Sequence, residues 1–426
     1  MASSRKTLLV TTPDSPILHR GSRLLCLLLL LSAFCWAQQD PSGYSQQFEG
    51  DWNVPDFTFH SGEKLAQLRL HYITLGSPVR DAAGHIRNAV LVLHGTGGTG
   101  RNFLSAEFGG ELFRKGQPLD ATRYYIILPD AIGTGKSSKP SDGLRMKFPH
   151  YRYDDMVRAQ YLLVHDGLKV DHLCLVMGTS QGGMHTWLWG VTYPDFMNAL
   201  MPLASAPVEI AGRNRMTRTM AIQAIKNDPD WKNGEYNTQP RGLIAARNIR
   251  SIMTGSALQN QKENPTAEKA DAAVEALAKA ALRTDANDTI YQYEASTDYN
   301  PSPMLEKIQA PLFAINSADD EINPPELRIL EREIKRVKRG RYILIPLSDQ
   351  TRGHQTYNRA VVWKNHLLEL LHISEARGGP RQDQPQASRF ANGVRDATTH
   401  VSLCSLYSVR RLQDNTASSP ETRGTV

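Results

Sequence analysis

The chain has 426 residues, of which 40% are hydrophobic and 22% charged, and a formal net charge of +6. These proportions match globular averages and exclude both a wholly disordered chain and a membrane-embedded bundle. The length exceeds that of one small domain and predicts one large unit with an insertion or extended ends.

At the N-terminus, Arg5, Lys6, Arg20 and Arg23 precede an apolar run from Leu24 to Trp36 that closes on Cys35-Trp36-Ala37. Small residues at minus three and minus one after an apolar stretch predict a signal peptide over residues 1–37 and a secreted or periplasmic location. The run holds 13 residues, short for a bilayer span, so no stable membrane span is expected after cleavage. The plainer alternatives are a buried N-terminal helix or a retained anchor. Cys26 and Cys35 would leave with the signal. Cys174 reads as a small core residue and Cys404 falls near the C-terminus. No disulfide framework, zinc motif, metal or cofactor is expected.

Short apolar runs then recur as candidate buried strands: Leu68 to Leu75, Ala89 to Leu93, Tyr124 to Leu128, Leu173 to Met177, Met201 to Ala204, Leu312 to Ile315 and Tyr342 to Ile345. Helix-length segments alternate with them at Asp154 to Leu168, Gln181 to Tyr193, Pro324 to Val337 and Arg359 to Leu371. This is the βαβ rhythm of a mostly parallel sheet. Residues 209–303 break it with a strand-free stretch rich in Ala, Lys, Glu and Met, which predicts a helical insertion. Such an insertion can lie as a lid over the C-terminal strand ends, where open α/β sheets bind ligands, or serve only as a helical layer. The expected organisation is therefore a core over 38–208 and 304–374, interrupted by this insertion. A disordered tail over 375–426 follows, rich in Arg, Gln, Ser and Gly. The positive charge sits in the two ends, each net +3, and the folded middle is neutral, which argues against nucleic-acid binding.

The chemistry-bearing feature is Gly178-Thr179-Ser180-Gln181-Gly182, between a strand-like run and a helix start. It reads as a nucleophile elbow, in which Ser180 is strained and glycines are required because a Cβ at 178 or 182 would collide with the adjoining strand and helix. A serine needs a base, oriented by an acid, in the order Ser, Asp, His. Asp319 and Asp320 follow the Leu312 strand, and His354 follows the Tyr342 strand. His354 would move the Ser180 proton and one of the two acids, Asp319 or Asp320, would orient it. The other histidines, His94, His150, His165, His172 and His185, read as structural. The oxyanion donors expected are the backbone N–H groups of Gln181 and of Thr96, in the glycine-rich stretch after the second apolar run.

Two competing signals sit nearby. Gly95-x-Gly97-x-x-Gly100 has the form of a dinucleotide fingerprint, but the first acid at a following strand end is Asp130, too far on for a ribose ligand. Gly133-Thr134-Gly135-Lys136-Ser137 has the form of the end of a phosphate loop whose first glycine would fall at Asp130. Neither accounts for Ser180, Asp320 and His354 together.

The stretches Phe148-Pro149, Asp155 to Gln160, Gly178-x-Ser180-x-Gly182-Gly183-Met184, Tyr193-Pro194, Asp320-x-x-x-Pro324 and Gly353-His354 resemble the homoserine O-acetyltransferase branch of the α/β-hydrolase superfamily, over roughly residues 55–372. The resemblance implies an α/β-hydrolase fold, with a mostly parallel eight-stranded sheet flanked by helices and a helical cap. It places the acid at Asp320 and the base at His354. Thr179 and Gln181 stand where those transferases typically have Gly and Met, and His354-Gln355-Thr356 replaces their His-Asp-Ala. Expected export also separates the enzyme from cytoplasmic acetyl-CoA. The reading is therefore a serine hydrolase acting on a small-molecule acyl substrate through an acyl-enzyme on Ser180. The alternatives are an acetyl-CoA-dependent acyltransferase and a non-catalytic binding protein on a hydrolase scaffold. Homodimerisation is left open.

Overall fold

The sheet begins with an antiparallel hairpin, β1 (Phe48–Thr58) and β2 (Lys64–Leu75), and continues with β3 (Ala89–Leu93), β4 (Tyr125–Pro129), β5 (Leu175–Thr179), β6 (Leu200–Leu203), β7 (Leu312–Ser317) and β8 (Gly340–Ile345). The computed structural model describes Tyr44 and residues 46–375; the expected signal peptide, Cys404 and the expected tail from residue 376 onward lie outside the described residues. The spatial order is β1-β2-β4-β3-β5-β6-β7-β8. β2 meets β4 antiparallel, and every pair from β4 through β8 is parallel. The sheet is thus eight-stranded and mostly parallel.

Helices α1 (Gly109–Leu112), α2 (Tyr153–Leu162) and α3 (Gln181–Thr192) belong to the first part of the core. Helices α4 (Gly212–Lys226), α5 (Gly242–Thr254), α6 (Ala257–Glu263), α7 (Ala267–Ala281) and α8 (Ala286–Glu294) fill the chain between β6 and β7, where the described residues include no strand. Helices α9 (Ile329–Glu333) and α10 (Ala360–Glu375) follow. The five central strands are buried at every position because helices cover both faces, which is why they read as unbroken apolar runs. Along β3 the side chains alternate between two cores. Leu91 and Leu93 join Met156 of α2 and Trp187 of α3, whereas Val90 and Val92 join Trp363 and Leu367 of α10. The inserted helices carry a separate core around Ile225, Trp231, Leu243 and Ile290.

Two elements differ from the sequence expectation. β1 gave no apolar run because it is an edge strand whose buried positions are only Val54 and Phe57; Pro55, which cannot donate to a ladder, is tolerated there. The helix expected over 324–337 is broken. Pro324 and Pro325 lead into one turn, Arg328 takes a left-handed conformation with φ +53°, and only Ile329–Glu333 is α-helical. The prolines remove amide donors, and a left-handed residue cannot continue a right-handed helix.

Trp187 is fully buried between α3 and the sheet. Trp187→Ala is expected to lower stability by about 3–5 kcal/mol, read as a drop in the urea midpoint at unchanged m-value. A shift within error would mean that this helix does not depend on its sheet contact.

Candidate active site

Ser180 lies between the end of β5 and the start of α3 with φ +53° and ψ −112°, a conformation L-residues seldom adopt. Its N–H donates to the Leu203 carbonyl at 2.9 Å and its carbonyl accepts from Met184 N–H at 2.9 Å, so strand and helix both grip it. A Cβ at Gly178 would run into the backbone of Gly182, and one at Gly182 into the Leu93 carbonyl of β3. The small residues are the condition for bringing α3 down onto the sheet.

The Ser180 hydroxyl is 2.8 Å from His354 Nε2. His354 Nδ1 lies 2.9 Å and 3.0 Å from the two Asp320 carboxylate oxygens. Because that carboxylate only accepts, Nδ1 carries the proton and Nε2 is left as the acceptor facing Ser180. Asp320 is buried, at 1% exposure, and also accepts the N–H groups of Ile322 and Asn323 at 2.8 and 3.1 Å. Burial by itself raises its pKa; the His354 imidazole opposite, its hydrogen bond and the Asn323 donors outweigh this and hold the carboxyl below its ordinary range. Asp319 faces elsewhere. It accepts the Gly353 N–H at 2.9 Å, while the Gly353 carbonyl accepts from Ser317 Oγ at 2.8 Å and Thr356 Oγ1 at 2.9 Å. Gly353, at φ +62°, is thus held from both sides and sets the ring position of His354.

Thr96 lines the same cavity as Ser180 and His354, and Gly95 packs against Ser180. Gln181 is the first residue of α3, so its N–H has no acceptor within the helix. Among the described residues neither the Thr96 nor the Gln181 N–H donates to a protein acceptor. The Thr96 carbonyl accepts from Arg250 of α5 at 2.6 Å, which fixes this peptide from the inserted segment.

His94 is buried and clamps the loop. Its Nδ1 donates to the Gly95 carbonyl at 2.8 Å and its Nε2 accepts the Ala131 N–H at 2.9 Å, and burial lowers its pKa so that it stays neutral. Asp130 works beside it, accepting the N–H groups of Gly100 and Lys136 at 2.8 and 2.9 Å. The two glycine-rich stretches are therefore bound to each other. Cys174 is only half-buried, at the edge of a core, with its thiol pushed up to about 11 by burial and by Glu375. Among the described residues no group of three or more His, Cys, Asp or Glu is placed to hold a metal ion.

The cavity at Ser180 has a volume of about 40 Å³, and the inserted helices supply Asn214, Thr217, Arg218, Arg250, Met253 and Tyr293 to its wall. No spacing rule ties a helix in an insertion to a given pocket, so the sequence alone does not assign these residues to the site. Two other aromatics of the insertion serve packing: Trp231 lies in the insertion's own core and Tyr291 donates to the Phe148 carbonyl at 2.6 Å. An apolar cavity of about 490 Å³ lies alongside and shares Asn214 and Ile322 with the Ser180 cavity.

Residues 88–346 match the profile of the family described as alpha/beta hydrolase fold. A probable acyltransferase of Methanothermobacter thermautotrophicus is 28% identical over 65% of this chain and 84% of its own length. The homoserine O-acetyltransferase of Moorella thermoacetica is 37% identical over 44% of this chain, and the match spans 54% of that enzyme. The chain thus spans about half the length of such relatives. The crystal structure of an acetylester hydrolase from Corynebacterium glutamicum superposes with a TM-score of 0.67 at 20% identity, covering 79% of this chain and 98% of that one, a likeness of fold.

A carboxyl whose pKa is depressed on folding contributes stability that is present above its unfolded pKa and lost as pH falls through its folded one. The urea midpoint of the native chain is therefore expected to drop from about pH 4 downward, and to drop less steeply in Asp320→Asn. Identical acid slopes in the two proteins would contradict this role for Asp320.

Proposed function

We propose that this chain, which belongs to the α/β-hydrolase fold family, is a serine-dependent acyl-transfer enzyme that hydrolyses esters of short acyl groups. The observation that carries the reading is the 2.8 Å contact between a strained serine hydroxyl and an imidazole whose far side is held by a buried carboxylate. His354 Nε2 takes the Ser180 proton as Oγ attacks the acyl carbonyl, and the developing oxyanion lies toward the N–H groups of Thr96 and Gln181. Collapse of the tetrahedral species breaks the bond to the alcohol, which leaves with the proton carried by His354. Water then gives a proton to Nε2, attacks the acyl-enzyme and releases the acid, and His354 returns the proton to Ser180.

The small volume at Ser180 favours acetyl-sized groups. Water as acceptor is favoured by the export expected from the N-terminal sequence. The second reading, transfer from acetyl-CoA to an alcohol of the homoserine type, is favoured by the curated relatives. A non-catalytic scaffold is disfavoured, since such a protein has no need to keep Ser180, His354 and Asp320 in mutual hydrogen-bond reach.

A fluorophosphonate probe is expected to label Ser180, and Ser180→Ala to lose about 10³-fold or more of turnover at unchanged stability. Full activity in that variant would end the proposal. Among nitrophenyl esters, kcat/KM is expected to fall from acetyl to octanoyl; a rise would mean that the acyl chain passes Asn214 and Ile322 into the apolar cavity. With acetyl-CoA and homoserine together, free acetate is expected to exceed O-acetylhomoserine, and the opposite ratio would make the enzyme a transferase.

A further inference from the structure

Two arginines line the Ser180 cavity, and Arg218 of α4 is the more deeply buried, at 7% exposure. Its Nε donates to Asn214 Oδ1 at 3.0 Å and its Nη1 to Ser296 Oγ at 3.1 Å, and the guanidinium carbon stands 5.8 Å from the centre of the Tyr293 ring. These partners are all neutral. Among the described residues no carboxylate pairs with Arg218. A guanidinium keeps its proton in a protein, so the charge cannot be relieved by ionisation. Neutral hydrogen bonds and a ring face offset only part of the cost of taking it out of water. Fastening α4 to the segment after α8 through Ser296 needs a donor but no permanent charge; a neutral amide would serve.

Arg218 is tied to the Thr96 side of the cavity by Tyr153 of α2, whose phenol is 1% exposed. The Tyr153 hydroxyl is flanked by the side chains of Arg218, Ser296 and Thr96, none of them at full hydrogen-bond geometry. Burial raises the Tyr153 pKa, and the Arg218 charge together with those side chains pulls it part of the way back. Thr96 carries one of the two N–H groups toward which an oxyanion on Ser180 would lie, and it lines the cavity with Arg218. The whole space measures about 40 Å³, so an acyl group attached to Ser180 fills it and meets the side chains of its wall. The anion that Arg218 lacks is therefore one that arises in that space only while the acyl carbon is tetrahedral.

We propose that Arg218 is a catalytic residue of this site, a buried positive charge that stabilises the oxyanion of the tetrahedral species alongside the Thr96 and Gln181 N–H groups. This rests on the acyl-enzyme reading above. In the bound ester the carbonyl oxygen bears no full charge, and Arg218 adds little to binding. When Ser180 attacks, that oxygen becomes negative, and the attraction is strong because the cavity holds little water to screen it. An interaction realised only in the transition state raises kcat and leaves KM in place. Arg218 stays protonated throughout, and His354 alone moves the proton between Ser180, the leaving alcohol and water.

The test uses the full chain with Arg218→Gln, Arg218→Lys and Ser180→Ala, each checked for folding by its urea midpoint. With 4-nitrophenyl acetate, Arg218→Gln is expected to lose about 10²-fold in kcat, the scale of one oxyanion donor, with KM within about twofold of native. Methylboronic acid adds to a serine hydroxyl as a tetrahedral anion, and its inhibition constant is expected to rise by the same factor by which kcat/KM falls. A loosened wall without an electrostatic role has no reason to move the two in parallel. Arg218→Lys keeps the charge and is expected to stay within about tenfold of native. Should the Gln variant not fold, the Lys variant carries the test, because its smaller loss must again appear equally in kcat/KM and in boronate affinity. A folded Arg218→Gln within about threefold of native kcat overturns the proposal. So does a loss confined to KM, which would make Arg218 a ground-state contact. If Ser180→Ala is inactive in the same assay, such a result removes the role of Arg218 alone; turnover surviving in Ser180→Ala rejects the acyl-enzyme reading and the proposal with it.

Discussion

The left-handed backbone at Ser180 is the constraint from which the rest of the site follows. Such a residue costs free energy and persists only where its surroundings over-determine it. Here β5 is fixed between β3 and β6, the Ser180 N–H is spent on Leu203, and α3 is held against the sheet by Trp187. Gly178 and Gly182 let strand and helix come close enough for this turn, because a side chain at either would meet backbone. The hydroxyl is thereby lifted beyond the C-terminal strand ends, where loops from β3, β7 and β8 converge. His354 reaches it from 174 residues along the chain.

The chemistry turns on how two buried histidines are partnered. His94 gives one nitrogen to the Gly95 carbonyl and the other to the Ala131 amide, so both are used by backbone and burial keeps the ring neutral. It can hold a loop but not exchange a proton with substrate. His354 has a carboxylate on one nitrogen and the nucleophile on the other. Under the proposed mechanism a charged imidazole formed during attack would be compensated by Asp320, whose carboxylate accepts from Asn323 and Ile322. The same residue type is a fastener in one place and, in the proposed function, a base in the other because of what the second nitrogen faces.

The central strands were legible in the sequence because burial on both faces removes polar residues, and the elbow because its glycines are sterically compulsory. Ser180 is legible from its elbow and His354 from its place after the last strand, while the family likeness points to Asp320 through its spacing to Pro324; in the structure Asp319 accepts from the Gly353 N–H and Asp320 faces the imidazole. β1 was not legible because an edge strand with two buried positions has little apolar signature. Nor were Arg218 of α4 and Arg250 of α5 as neighbours of the site. Their placement depends on how a helix-only segment folds back onto loops more than a hundred residues earlier, and local periodicity carries no information on that. The glycine motifs have the form of nucleotide loops, but in the structure they are bound together by His94 and Asp130.

Arg250 joins these parts physically. Its guanidinium holds the carbonyl of Thr96 and lines the cavity at Ser180. A peptide whose carbonyl is fixed has its plane fixed, because the peptide unit is rigid, and the orientation of the neighbouring amides is then constrained as well. The inserted helices therefore do more than cover the strand ends: a side chain of α5 also restrains the loop on which an oxyanion would depend. A shift of α5 by even an ångström would loosen that restraint, since hydrogen-bond donors lose effect steeply with misplacement. Changes in this segment thus have a direct route to the loop that carries Thr96.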